Sequence, residues 1–309
     1  WPVLIAQLAW FMHWKKFLTK SIDINMGIGN HELYFLKYLS RKISFKSVAT
    51  IGRQLLVTQP DEIKKIVNTN QNYEGYCEVL LKREFNATSV DSYDFDDYEG
   101  ADYVFDFNKD LKDNKTYDLV LDFGSMEHIF NIPQVVKNIS KLTKINGYIA
   151  HANPANNFCG HGLYQFSPEF YYSLYSEKNG FSDTEIFMAE YPDHKKDINY
   201  WYKAESLSDG KRKEFLSYYG VGSLVLTKKK MNKDTLDVIQ SDYEVIYKNK
   251  DNQIKIKKEN LSKIKKFLKR FYALRKIASL IGQFKYNLKK KRNTKLRYLK
   301  NNKNFKKID

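Results

Sequence analysis

Residues Tyr117–Pro133 read YDLVLDFGSMEHIFNIP. An apolar run meets an acid at Asp122, turns at Gly124, and presents Glu127 and His128 where the next element begins. In an open α/β sheet, ligands bind outside the carboxyl ends of the strands. A strand that ends in a carboxylate and is followed at once by a proton acceptor has the layout of such an edge. The same layout, without the histidine, occurs upstream in ATSVD (Ala87–Asp91) and ADYVFDF (Ala101–Phe107).

Working outward, the region from Ser47 to about Lys230 alternates strand-like and helix-like signals, the pattern of a parallel sheet covered by helices. SVATIG (Ser47–Gly52) predicts a buried strand ending in glycine. Helical spacing follows Pro60 (Ile63, Ile66, Val67), and a second helical piece runs through Val79–Leu81. Val135, Val136, Ile139 and Leu142 predict an amphipathic helix that Asn146-Gly147 ends, turning into GYIAHA (Gly147–Ala152) as a fifth strand. In FSPEFYYSLY, Ser167 is placed as an N-cap with Pro168 in the first helical position. TEIFMAE (Thr184–Glu190) and GSLVLTKK (Gly222–Lys229) are further β-rich runs.

The chain has 309 residues, 42% hydrophobic and 15% aromatic, a globular composition. Its formal charge of +16 is unevenly placed. Residues 248–309 hold 23 Lys and Arg against 3 acids, whereas residues 1–247 are slightly acidic. The core is therefore not a nucleic-acid binder by charge. Cys77 and Cys159, far apart, exclude a disulfide framework and fit a reducing, cytoplasmic setting. Trp1–Trp14 is apolar but too short to span a bilayer. The end of a membrane segment, an interfacial helix, or sequence outside the natural frame with Met26 as the start all fit it. The expected domains are a lead over 1–44, a core over 45–247 and a basic tail over 248–309.

From about Asn260 to Arg292 the tail predicts a long amphipathic helix, with Leu261, Ile264, Leu268, Phe271, Ile277, Ile281 and Phe284 near one face. It has the composition of a peripheral membrane contact, at an inner surface, through lysines and phenylalanines. A protein-docking helix, a nucleic-acid arm and a solvated extension remain alternatives. Residues 293–309 are expected to be disordered.

Asp91, Asp106 and Asp122 are expected to line one crevice, although each has a capping alternative. TIGRQ offers a single glycine, Gly52, for close backbone approach to a ligand, with Arg53 where a second glycine would stand. His128 is the candidate proton acceptor and Glu127 its partner; a packed, hydrogen-bonded His128 is the alternative. The loop HANPANNFCGHGLYQF carries Asn153, Asn157, His161, Tyr164 and Gln165. These suit a small polyhydroxylated acceptor such as a sugar, or else satisfy the backbone of turns. No carboxylate stands at zinc or facial-triad spacing to His151 and His161, so no metal is expected.

The run DLVLDFGSMEHIFNIPQVVKNISKLTKINGYI, followed by NNFCGHGLYQFSPEFYYSLY, resembles the class I S-adenosylmethionine-dependent methyltransferase superfamily. More narrowly it resembles bacterial methyltransferase-domain proteins with GRQ, DYEGA, EHIFN and GHGxYQFSP segments, over roughly residues 45–245. The resemblance implies a Rossmann-like, doubly wound α/β fold. Its seven-stranded sheet would be mostly parallel, with an antiparallel last strand at Gly222–Lys229, and the basic C-terminal helix would follow. It implies S-adenosylmethionine as cofactor, with Gly52 and Arg53 in the first motif, Asp91 at the ribose, Asp106 and Phe107 beside the adenine, and Asp122 in the fourth motif. The implied activity is methyl transfer to an oxygen or nitrogen of a small molecule, a surface-glycan precursor being one candidate. The first motif departs from the usual E/D-x-G-x-G-x-G, so a domain that kept the fold and serves assembly or membrane recruitment is the competing reading.

Overall fold

The computed structural model describes residues 27–192, 201–206, 214–248, 298 and 305–308. The first half runs β1 (Gly27–Ile28), α1 (Asn30–Lys42), β2 (Ser47–Ile51), β3 (Leu55–Leu56), α2 (Pro60–Val67), α3 (Glu78–Glu84), β4 (Ser89–Asp94) and β5 (Tyr103–Val104). The second half runs β6 (Tyr117–Phe123), α4 (Ile132–Leu142), β7 (Thr143–Asn156), α5 (Pro168–Leu174), β8 (Phe181–Tyr191), β9 (Trp201–Ala204), β10 (Gly220–Lys229), α6 (Ser241–Lys248) and β11 (Phe305–Ile308). Nine strands form one sheet in the order β11-β9-β8-β10-β7-β6-β2-β4-β5, and β1 pairs separately with β3.

The five strands β5, β4, β2, β6 and β7 are mutually parallel. β10 inserts antiparallel between β7 and β8. The expected sheet had seven strands; β9 and β11 extend it by two, both in antiparallel pairing. The chain leaves β2 toward β4 on one side and returns to β6 on the other, so the strand order reverses at β2. Crevices for ligands form at such a reversal.

Alternation along the strands sorts the core into two layers. Val48, Leu119, Leu121 and Ala150 face α1, α2 and α3. Ala49, Val120 and Ile149 face α4 and α5. The predicted stripe of α4 (Val135, Val136, Ile139, Leu142) is wholly buried there. At α5, the Ser167 hydroxyl accepts the Phe170 N–H, as its N-cap position requires. At the far end of α4, the buried Lys229 ammonium donates to the carbonyls of Ser140 and Thr143, and the Thr143 N–H also reaches the Ser140 carbonyl.

Two segments differ from expectation. Residues 30–42, assigned to the lead, form α1, whose Leu33, Phe35, Leu36 and Leu39 are fully buried in the core. Phe305–Ile308, expected to be disordered, pair with β9. The expected helix over 260–292 and the apolar segment 1–14 lie outside the described residues. Among the described residues, no helix is long and apolar enough to cross a membrane.

Candidate active site

At the carboxyl ends of β2, β4 and β5 the structure opens into a cavity of about 540 Å³, walled by Gly52, Arg53, Asp94, Asp106, Phe107 and His128 among others. Gly52 turns the chain out of β2 with φ +75°, and a Cβ there would lie 2.4 Å from the Ser125 hydroxyl oxygen. A side chain there would be strained, and glycine leaves bare backbone against the cavity. Ser125 in turn donates to the Ile51 carbonyl at 2.6 Å, tying the end of β2 to the loop after β6.

Arg53 does not plug the hollow. Its Nε donates to Glu78 Oε1 at 2.9 Å, and its Nη1 donates to the carbonyls of Glu99 and Gly100. The guanidinium lies 4.0 Å from the centre of the Tyr76 ring, a cation–π stack that holds it in the wall.

The acid at the tip of β4 is Asp94, not Asp91. β4 runs three residues further than its apolar run suggests. Asp91 falls mid-strand, where its carboxylate meets the Lys115 ammonium at 2.6 Å and the Tyr117 hydroxyl at 2.8 Å, away from the cavity wall. Asp94 accepts the N–H of Arg53 at 2.9 Å on one oxygen and that of Phe95 at 2.7 Å on the other. Each oxygen keeps a further acceptor site. Asp106 stands on the wall, and the Asn108 side chain and N–H hold its carboxyl below the ordinary range. Burial, then the neighbouring Asp94, raises the Glu99 carboxyl. Phe95, Phe105 and Phe107 add flat apolar surface to this acidic wall.

Asp122 is placed otherwise than the resemblance implies. It is fully buried and absent from the cavity wall. One oxygen accepts the N–H groups of Ser125 and Met126; the other meets His151 Nδ1 at 2.7 Å and accepts from Asn153 at 3.1 Å. His151 Nε2 bonds the Tyr175 hydroxyl, and the Tyr171 hydroxyl donates to Asn153 Oδ1 at 2.6 Å. Asn153 is thus a buried connector rather than a surface group for an acceptor. His151, given no site role by its spacing, is the hub of this network.

Glu127 and His128 occupy a one-turn 3-10 helix, Met126–His128. Glu127 is fully buried; its Oε2 accepts from Asn153 at 3.0 Å, while its Oε1 has no hydrogen-bond partner. Two imidazoles face that oxygen, His161 Nε2 at 3.6 Å and His128 Nε2 at 3.9 Å. The rings cross edge to face, centroids 5.2 Å apart. Burial lowers the His128 pKa, against the opposing pull of Glu127. His128 alone of the three lines the cavity.

The loop that delivers His161 is tied to Glu127 through its backbone. Leu163 N–H donates to the Glu127 carbonyl at 2.7 Å, and Gly162, with φ +75°, leaves room where a Cβ would stand 2.8 Å from Glu127 Cγ. Asn157, Tyr164 and Gln165 of this loop satisfy backbone groups. Asn157 donates to the carbonyls of Ser217 and Tyr219, Gln165 accepts the Phe158 N–H, and the Tyr164 hydroxyl donates to the Phe130 carbonyl.

No protein-family model and no curated protein matches this sequence. Solved structures similar to it include TehB from Haemophilus influenzae, 13% identical, covering 63% of this chain and 61% of that one, with a TM-score of 0.37. The chain thus spans less than two thirds of that protein. Another is the Burkholderia thailandensis 1,6-didemethyltoxoflavin-N1-methyltransferase, bound to 1,6-didemethyltoxoflavin and S-adenosylhomocysteine: 11% identity, 75% and 88% coverage, TM-score 0.37. A third is the O-methyltransferase of a Brevibacillus brevis trans-AT polyketide synthase with S-adenosyl-L-homocysteine: 12% identity, 64% and 71% coverage, TM-score 0.39.

Proposed function

We propose that this chain is an S-adenosylmethionine-dependent methyltransferase acting on an oxygen or nitrogen of a small molecule. The observation that carries the reading is the cavity at the strand reversal, with bare backbone at Gly52, a half-engaged carboxylate at Asp94 and an acidic, aromatic wall. Its volume falls within the roughly 300–1,000 Å³ of small-molecule sites. A sulfonium and an ammonium favour carboxylates, and Glu99, Asp94 and Asp106 surround the space. Asp94 would take the ribose hydroxyls, the role the resemblance gives to Asp91. The phenylalanines would take the adenine face, and the Gly52 turn would allow close approach of the methionine part.

Bound there, the cofactor supplies a methyl group already activated by its sulfonium. What remains for the protein is to position an acceptor and to dispose of its proton. The group Glu127, His128 and His161 stands where the cavity meets the loop over 157–165, and we assign proton removal to it.

Thermal denaturation with S-adenosylhomocysteine tests the cofactor part. The melting temperature of the wild-type chain is expected to rise with ligand concentration, and that of Gly52→Val, whose side chain would occupy the turn, is expected to stay fixed. A wild-type chain that shows no shift at millimolar ligand is a fold retained without the activity.

A further inference from the structure

We propose that Glu127, His128 and His161 form a binding site for one divalent transition-metal ion, zinc in the first instance. A buried carboxylate oxygen without a hydrogen-bond partner carries an uncompensated desolvation cost. Glu127 Oε1 is in that position, and the groups in front of it are two imidazole nitrogens at 3.6 and 3.9 Å, beyond hydrogen-bond reach. The three candidate ligand atoms all lie within 4.8 Å of one another. Two ligands about 2.1 Å from a tetrahedral ion stand roughly 3.4 Å apart. The Glu127–His161 pair is near that spacing already, and His128, a third exposed at its side chain, needs only a small rotation.

The surroundings are those of a ligand set rather than of a chance cluster. Glu127 is oriented from behind by Asn153, which is held by the Tyr171 hydroxyl, so the carboxylate has an ordered supporting shell. His161 is fixed by the backbone of its loop, through its N–H to the Phe158 carbonyl at 3.0 Å and the adjoining bonds onto Glu127. Two imidazoles and one carboxylate suit zinc and its neighbours, and disfavour magnesium and calcium, which take oxygen ligands. Three protein ligands leave the remaining coordination positions on the side of His128, toward the cavity, the arrangement of a catalytic rather than a structural ion.

The consequence for chemistry rests on the methyl-transfer reading; the ion site itself does not. An acceptor hydroxyl bound at the open position would lose its proton to water more readily, because the cation stabilises the oxygen's negative charge. His128 and His161 would then act as ligands, and the acceptor's proton would pass to water rather than to an imidazole.

The test uses the full chain, stripped with a chelator and titrated with zinc chloride by calorimetry, with cobalt(II) absorption as a second readout. We expect one ion per chain, and visible cobalt bands of a nitrogen–oxygen site. Glu127→Gln and His161→Ala, each checked for retained secondary structure, should bind at least about 100-fold more weakly, whereas Cys159→Ser should bind as the wild type does. No binding by the wild type, or equal binding by Glu127→Gln and His161→Ala, overturns the proposal. Since the readout is the metal, a failure of cofactor binding would not register in it.

Discussion

The tips of β2 and β4 and the tips of β6 and β7 lie side by side on one edge of the sheet, yet they are finished differently. At the first pair the carboxylate of Asp94 is half-engaged and looks into an open cavity. At the second, Asp122 is sealed, with both oxygens occupied by Ser125, Met126, His151 and Asn153. A carboxylate at a strand end is therefore not by itself a ligand group. What distinguishes the two is whether the oxygens retain acceptor capacity facing open space, and that depends on which loops close over them.

This contrast can be broken most severely at Asp122. Asp122→Ala leaves His151 Nδ1 and the N–H groups of Ser125 and Met126 without their carboxylate, and one of the two bonds of the Asn153 amide unmade, and should destabilise the chain by about 3–5 kcal/mol, read as a shift of the urea midpoint. Asp94→Asn should do the reverse. Stability should change by less than about 1 kcal/mol, while S-adenosylhomocysteine binding should weaken by roughly 10- to 100-fold, the worth of a charged hydrogen-bond acceptor. If Asp94→Asn unfolds the chain and Asp122→Ala spares it, the assignment of the two halves is inverted.

Arg53 sharpens the boundary between the halves. Arg53→Ala removes the pair with Glu78, the stack on Tyr76 and the ties to Glu99 and Gly100, and should cost about 1–2 kcal/mol while loosening the cavity wall. Limited proteolysis near Asp97–Gly100 would reveal the loosening; a cutting pattern identical to wild type would contradict it.

The smallest effect lies at the opposite end of the packed half. Burial pushes Lys229 down to about 8 from an ordinary 10.5. Between those values the folded chain has shed a proton that the unfolded chain still binds, so this group's contribution to stability grows as pH rises and is lost as pH falls through 8. The stability of the wild type relative to Lys229→Met should therefore increase from pH 8 to pH 10 in paired denaturation curves. A flat or falling difference would mean that the ammonium is not buried as described.

Much of this architecture is written in local pattern. The stripe of α4, the Ser167 cap and the strand cores of β2, β6, β7 and β10 follow from spacing and turn chemistry alone. Asp94 was missed because the apolar run of its strand stops at Val90, while the backbone pairing continues through polar Asp91–Asp94. Leu33, Leu36 and Leu39 do carry helical spacing, so α1 was legible in principle, but the apolar segment before it drew the boundary too late. β9 and β11 are four-residue strands, too short for alternation to register. The meeting of His161 with Glu127 has no sequence signal of distance, because it depends on a loop folding back through Gly162. The nearest hint was a glycine, Gly162, next to His161 in a polar loop.

Titration of the full chain with S-adenosylhomocysteine by isothermal calorimetry tests the central claim most directly. The open cavity between Gly52, Asp94 and Asp106 predicts saturable one-to-one heat with micromolar affinity, abolished in Gly52→Val. Absence of heat at millimolar ligand, or equal heat from the Gly52→Val chain, would contradict it.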